Sequence, residues 1–151
     1  MNDHAKILPE DTFYRHRNSD GSVGGLIAKD VTPGTGLWLH ASSVISQGCC
    51  VRDNVRIFES VLVQSGATLG EGVVLLERVV VCDNVWVGHG CVIGEGVRVG
   101  SGSRIQPQVR IQPRVLVGNG SVIARGCIVP ADVTLGHYAR FPVVIAPKEA
   151  K

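Results

Sequence analysis

A chain of 151 residues has room for one domain around a single core. Its 44% apolar content includes only 5% aromatic residues beside 19 glycines, which points to a core of small aliphatic side chains threaded by tight turns and away from a globular α/β enzyme. A formal net charge of +2 gives no grounds for a nucleic-acid or membrane-surface partner. The first residues hold no long apolar run, so neither a signal peptide nor a transmembrane segment is expected. Five cysteines form an odd set without CxxC or zinc-ligand spacing, and a reduced, cytoplasmic protein is the expectation.

In chain order, residues 1–38 read as an N-terminal cap with a leading strand. Within them FYRHR-NSDG-SVGGLI has the pattern of a hairpin, with Asp20–Gly21 at its turn. It is expected to cover the open end of the repeating region that begins at Leu39.

From Leu39 onward every sixth residue is apolar. The series runs Leu39, Ile45, Val51, Ile57, Val63, Leu69, Leu75, Val81, Val87 and on to Leu135 and Phe141, eighteen positions without insertion or slip. At this composition chance would produce such a run less than about once in a million trials. A second slot, four residues after each anchor, takes only small or aliphatic residues, from Ser43 and Cys49 to Ala139 and Ile145. Residues two apart on a strand point the same way, so both slots face inward. Between strands stand Gly66, Gly72, Gly90, Gly96 and their equivalents, with Asn54 and Asn84 in the same slot. These are residues that tolerate positive φ, so each hexad is a short strand and a sharp corner. Three hexads close a triangular coil, and 39–146 make six coils. Residues 147–151 are a tail, and Pro142, Pro147 and the terminal lysines are expected to blunt the last coil, with no C-terminal helix.

The segments IGEGVR-VGSGSR and VGNGSV-IARGCI resemble the hexapeptide-repeat superfamily, whose fold is a left-handed parallel β-helix. Left-handedness is what the resemblance implies; the general rule for parallel crossovers predicts the opposite hand. The stretch around Trp38–Leu39 resembles uncharacterised bacterial and phage members. The expected architecture is therefore all-β, a prism of about six triangular coils.

With the period known, outward residues sort into three faces. One carries Trp38, His40, Arg56, Phe58, Val74, Leu76, Val92, Arg110, Ile128 and Pro130. An apolar strip of this extent on a soluble protein points to self-association, through Trp38, Phe58, Val74, Leu76, Val92 and Ile128. The superfamily resemblance implies a homotrimer. A second face holds Val44, Leu62, Val80, Cys82 and Leu116. The third, with Arg52, Thr68, Trp86, Arg104 and Arg140, is expected to meet solvent.

Many superfamily acyltransferases use a histidine as general base, and the related γ-type carbonic anhydrases share three zinc-binding histidines between subunits. Here His40, His89 and His137 fall on three sides of the prism. His89 and His137 stand nearly three coils apart, about 13 Å in height, so they cannot share a metal within one chain. His89 occupies a corner above Glu71 and Asp53, and a carboxylate about 5 Å from an imidazole can orient its tautomer. The column Asp53–Glu71–His89 is the candidate catalytic constellation. Another corner stacks Glu59, Glu77 and Glu95, like charges that need a cation or an arginine such as Arg78. Arg98, Arg104 and Arg110 leave one coil by three different faces and cannot converge within a monomer. Cys49, Cys91 and Cys127 occupy inward slots as small hydrophobes, while Cys50 and Cys82 are expected to point outward.

Two departures count against a conventional acyltransferase: no loop interrupts the coils, and no C-terminal helix follows them. The sequence therefore favours a self-associating scaffold or interaction module that needs no cofactor and no metal. An acyl- or acetyltransferase with an acyl-CoA donor, an intersubunit cleft and His89 as base is the alternative. An intersubunit metal site of the carbonic-anhydrase type is a lesser one.

Overall fold

The computed structural model describes residues 12–142. The expected end of the sixth coil at Ala146, the blunting by Pro147 and the terminal lysines, and the 147–151 tail lie outside the described residues. So does the start of the N-terminal cap.

Alternation of one inward and one outward residue leaves strands only two residues long, from Trp38–Leu39 to Arg140–Phe141. Each pairs in parallel with the strand eighteen residues on, Val74–Leu75 with Val92–Ile93 for example. Three parallel ladders result. One rises through Trp38, Arg56, Val74, Val92, Arg110 and Ile128 and forms the Trp38 face. The Trp86 face rises through Cys50, Thr68, Trp86, Arg104, Val122 and Arg140. The Val44 face rises through Val44, Leu62, Val80, Arg98, Leu116 and Thr134. The coil is left-handed, as the superfamily resemblance implied.

The corners explain how a parallel fold turns so tightly. Asn54 and Asn84 adopt the expected positive φ, and so do Ser60, Arg78, Gln108, Arg114, Asp132 and Tyr138 in equivalent slots. The left-handed region costs an ordinary L-residue about 1 kcal/mol or more, so the ladder imposes it on those six against their preference.

Strand β1 (Phe13–Arg17) and strand β2 (Val23–Ala28) form the expected antiparallel hairpin. Gly21 takes a φ of 88°, and Asp20 accepts the Ser22 amide at 2.9 Å. β2 also pairs in parallel with Val44–Ile45, so the hairpin is continuous with the Val44 face. Buried Asn18 fastens it to the first coil: its side-chain amide donates to the Leu39 carbonyl at 3.1 Å and its Oδ1 accepts the Leu39 amide at 2.9 Å.

Inside, the anchors from Leu39 to Ile123 form one aliphatic column closed to solvent. The small slot has a second rule that composition does not show. Ser43, Ser103 and Ser121 each donate a hydroxyl to the carbonyl fifteen residues on, at 2.5, 2.8 and 3.1 Å. Each also accepts the amide eighteen residues on, at 2.9, 3.0 and 3.2 Å. Cys49 and Cys91 make the donor half of this bond at 3.1 and 3.0 Å. Burial pushes both thiols up, in keeping with a packing role. Cys82 departs from its expected outward position and is only 3% exposed. Burial raises its thiol too.

Candidate active site

Corner residues of successive coils stand one above another, so Asp53, Glu71 and His89 occupy one edge of the prism. The structure brings all three into a single cleft of about 400 Å³, together with Arg52, Thr68, Gly70 and Trp86. The cleft runs along the edge where the Trp86 face turns its corner. Glycine makes the room for it. A Cβ on Gly70 would lie 2.6 Å from the His89 amide nitrogen, and one on Gly88 would lie 2.6 Å from the Pro107 nitrogen. Any larger residue there would force the coils apart.

Three of the histidines are engaged elsewhere. His16 Nε2 lies 3.1 Å from the Leu37 carbonyl. His40 Nδ1 accepts the Ser42 amide at 3.1 Å and meets the Ser42 hydroxyl at 2.9 Å, with Glu59 3.9 Å from Nε2. His137 Nδ1 accepts the Asn119 amide at 2.9 Å. His89 is exposed, and its ring has no hydrogen-bond or ion-pair partner among the described residues. An imidazole with both nitrogens free at the mouth of a cleft can take a proton from an incoming nucleophile.

The carboxylates of the column have different surroundings. Asp53 Oδ1 accepts the Thr35 amide at 2.9 Å, holding the corner of the coil below. Glu71 makes no side-chain hydrogen bond among the described residues, and it is one coil from the imidazole, about 5 Å. Glu71 is therefore the carboxylate placed to steer His89 or to hold a cationic group beside it.

Residues outside the expected column complete the cleft. Trp86 forms a half-buried wall, and the Arg104 guanidinium carbon lies 5.1 Å from its ring centroid. Arg52 opens into the lower end without a carboxylate partner among the described residues. The sequence placed Arg52, Thr68, Trp86 and Arg104 on one face but not around His89. The available signal was Gly70, a glycine after an anchor directly below the histidine's corner.

The other candidate clusters resolve differently. Arg78 pairs with Glu95, which supplies the arginine counter-charge expected for the glutamate column, and His40 Nε2 stands 3.9 Å from Glu59. No three His, Cys, Asp or Glu side chains among the described residues converge as metal ligands. Arg98, Arg104 and Arg110 leave by the three different faces.

Residues 78–113 match the family model described as bacterial transferase hexapeptide (six repeats). The acetyltransferase domain of PglB from Neisseria gonorrhoeae is 27% identical, with a TM-score of 0.52, and the match covers 74% of this chain and 53% of that one. This chain thus spans about half the length of that protein. A hexapeptide transferase family protein from Anaplasma phagocytophilum shares the fold at 14% identity and a TM-score of 0.53, covering 78% of this chain and 72% of that one. No curated protein matches the sequence. Residues 78–113 thus carry the hexapeptide-repeat signature, and the eighteen in-phase hexads continue the same period from Leu39 to Phe141, in a fold shared with solved hexapeptide transferase structures.

Proposed function

We propose that the protein is an acyltransferase, most simply an acetyltransferase using acetyl-CoA, with the Trp86-face cleft as its active site. The observation that carries this reading is the cleft itself, which sets an imidazole without a partner among the described residues beside a carboxylate, an indole wall and an arginine. The likeness to the PglB acetyltransferase domain supports the same chemistry. His89 is the general base: it takes a proton from the acceptor's amine or hydroxyl as that atom attacks the thioester carbonyl. The bond to the acceptor forms, the carbon–sulfur bond breaks, and the proton passes to the departing thiolate. Glu71 orients the imidazole and stabilises its cationic form, while Asp53 holds the corner below them.

The Trp38 face supports assembly of the chain as a homotrimer. Trp38 and Phe58 pack with ring centroids 5.9 Å apart beside half-buried Val74, Leu76 and Val92, and Ile128 is 58% exposed. In an assembly of this kind a neighbouring subunit supplies the second wall that an uninterrupted coil lacks. The scaffold reading draws on the same absence of an overhanging loop, and it expects no response to acetyl-CoA.

Acetyl-CoA titrated into the protein, followed by thiol release in the presence of a panel of amines, separates the two. The transferase reading expects saturable binding and acceptor-dependent release, reduced about 10²–10⁴-fold in His89→Gln. Acetyl-CoA that neither binds nor turns over leaves the scaffold.

A further inference from the structure

The cleft has an order of charge along its length that describes its acceptor. Arg52 stands at the lower end, Glu71 one coil higher and His89 a coil above that. Among the described residues the Arg52 guanidinium has no ion-pair partner, although two carboxylates share the cleft with it. Asp53 is its sequence neighbour, but Asp53 Oδ1 faces the Thr35 amide. Glu71 belongs to the imidazole's end. A fork of donors left open at one end of a cleft, with a carboxylate and a base at the other, matches a ligand with an anion at one end and an amine at the other.

Resting on the transferase reading, we propose that the acceptor is a zwitterion: a primary amine held at Glu71 and His89, and a carboxylate or phosphate held by Arg52. Two coils separate the corners that carry these groups, about 10 Å along the axis. The side chains lean into one cleft, so amine and anion stand about 5–9 Å apart. An α-amino acid, whose amine and carboxylate share one carbon, is too short to reach both. Trp86 walls the His89 end of the cleft, with Arg104 leaning over its ring, so the part of the acceptor next to the amine packs on an indole. Arg52 is a positioning and specificity residue; the proton moves at His89.

Calorimetric titration at low ionic strength tests this with two matched pairs, 6-aminohexanoate against hexylamine and glucosamine 6-phosphate against glucosamine, with glycine as the short control. At least one anion-bearing member is expected to bind about tenfold tighter than its partner lacking the anion, and glycine not to bind. The pair with the larger preference identifies carboxylate or phosphate. Arg52→Gln should erase the preference, Arg52→Lys should keep part of it as a point charge without the fork, and His89→Gln should leave it intact. Equal binding of members with and without the anion, or a preference that survives in Arg52→Gln, overturns the proposal. If binding depends on Arg52 but no acetyl group is transferred to any bound amine, the transferase reading fails and the anion anchor stands.

Discussion

The Trp38 face and the Trp86 face are built from the same hexad, yet they present opposite chemistry. On the first, outward slots carry Trp38, Phe58, Val74, Leu76 and Val92, all half-buried. Its polar contacts run along the adjoining corners, where His40 meets Ser42 and Glu59, Arg78 pairs with Glu95 and Arg114 with Asp132. On the second, the equivalent slots carry Thr68, Trp86 and Arg104, and the slot after the anchor shrinks to Gly70 and Gly88. Filled corners give a flat apolar surface suited to another protein. Emptied corners give a recess in which charged side chains keep room for a small molecule. The fold is indifferent between the two, because inward anchors carry its stability and outward residues are free to specialise.

That division makes the contrast breakable from several directions. The largest loss of stability should come from the shared interior. Ile93→Ala empties a fully buried anchor slot and should cost about 2–5 kcal/mol in chemical denaturation, weakening both faces together. Gly70→Ala strikes the cleft alone. Its new methyl meets the His89 backbone and should cost about 1–3 kcal/mol, with loss of acetyl transfer and no change in assembly. Ser103→Ala leaves the Gly118 carbonyl and the Ser121 amide without their buried partner, at about 1–3 kcal/mol. Ser103→Cys should cost less than Ser103→Ala, since Cys91 makes the donor half of the same bond.

Val74→Glu tests the other side of the comparison: light scattering should show a smaller assembly while the unfolding midpoint of the coil barely moves. An unchanged assembly would remove the Trp38 face as the interface. The smallest effect concerns the exposed Arg114–Asp132 pair, joined through Arg114 Nε at 2.7 Å. The hydrogen bond and charge of Arg114 hold the Asp132 carboxyl below the usual carboxylate range. Its contribution is therefore complete above about pH 4 and disappears as pH falls through the lowered value. Arg114→Gln should lower stability slightly at neutral pH, leave it unchanged below the lowered value, and so flatten acid unfolding a little.

The interior was the legible part of this protein. A six-residue period fixes strand, corner and inward face at once, so Leu39 to Phe141 could be placed from the apolar residues alone. Handedness was not in the pattern and came from resemblance. The hydrogen-bonding rule of the small slot was hidden as well, because Ser43 and Ser121 look in composition like space-saving residues, and only the ladder shows which carbonyl each one satisfies. The site was legible as a column but not as a cleft. Corner spacing placed Asp53, Glu71 and His89 together, whereas the contributions of Arg52 and Trp86 depend on which way long side chains lean. The same limit separates Asp53 from Glu71, whose different hydrogen-bonding duties cannot be read from their identical position in the repeat.

Acetyl transfer measured side by side for the wild type, His89→Gln and Val74→Glu tests the central claim most directly. A catalytic Trp86-face cleft predicts acetyl-CoA-dependent acylation in the wild type and a fall of about 10²–10⁴-fold in His89→Gln at unchanged unfolding midpoint. It also predicts a lesser loss in Val74→Glu if a neighbouring subunit walls the site. Transfer that proceeds equally well without the His89 imidazole would contradict it.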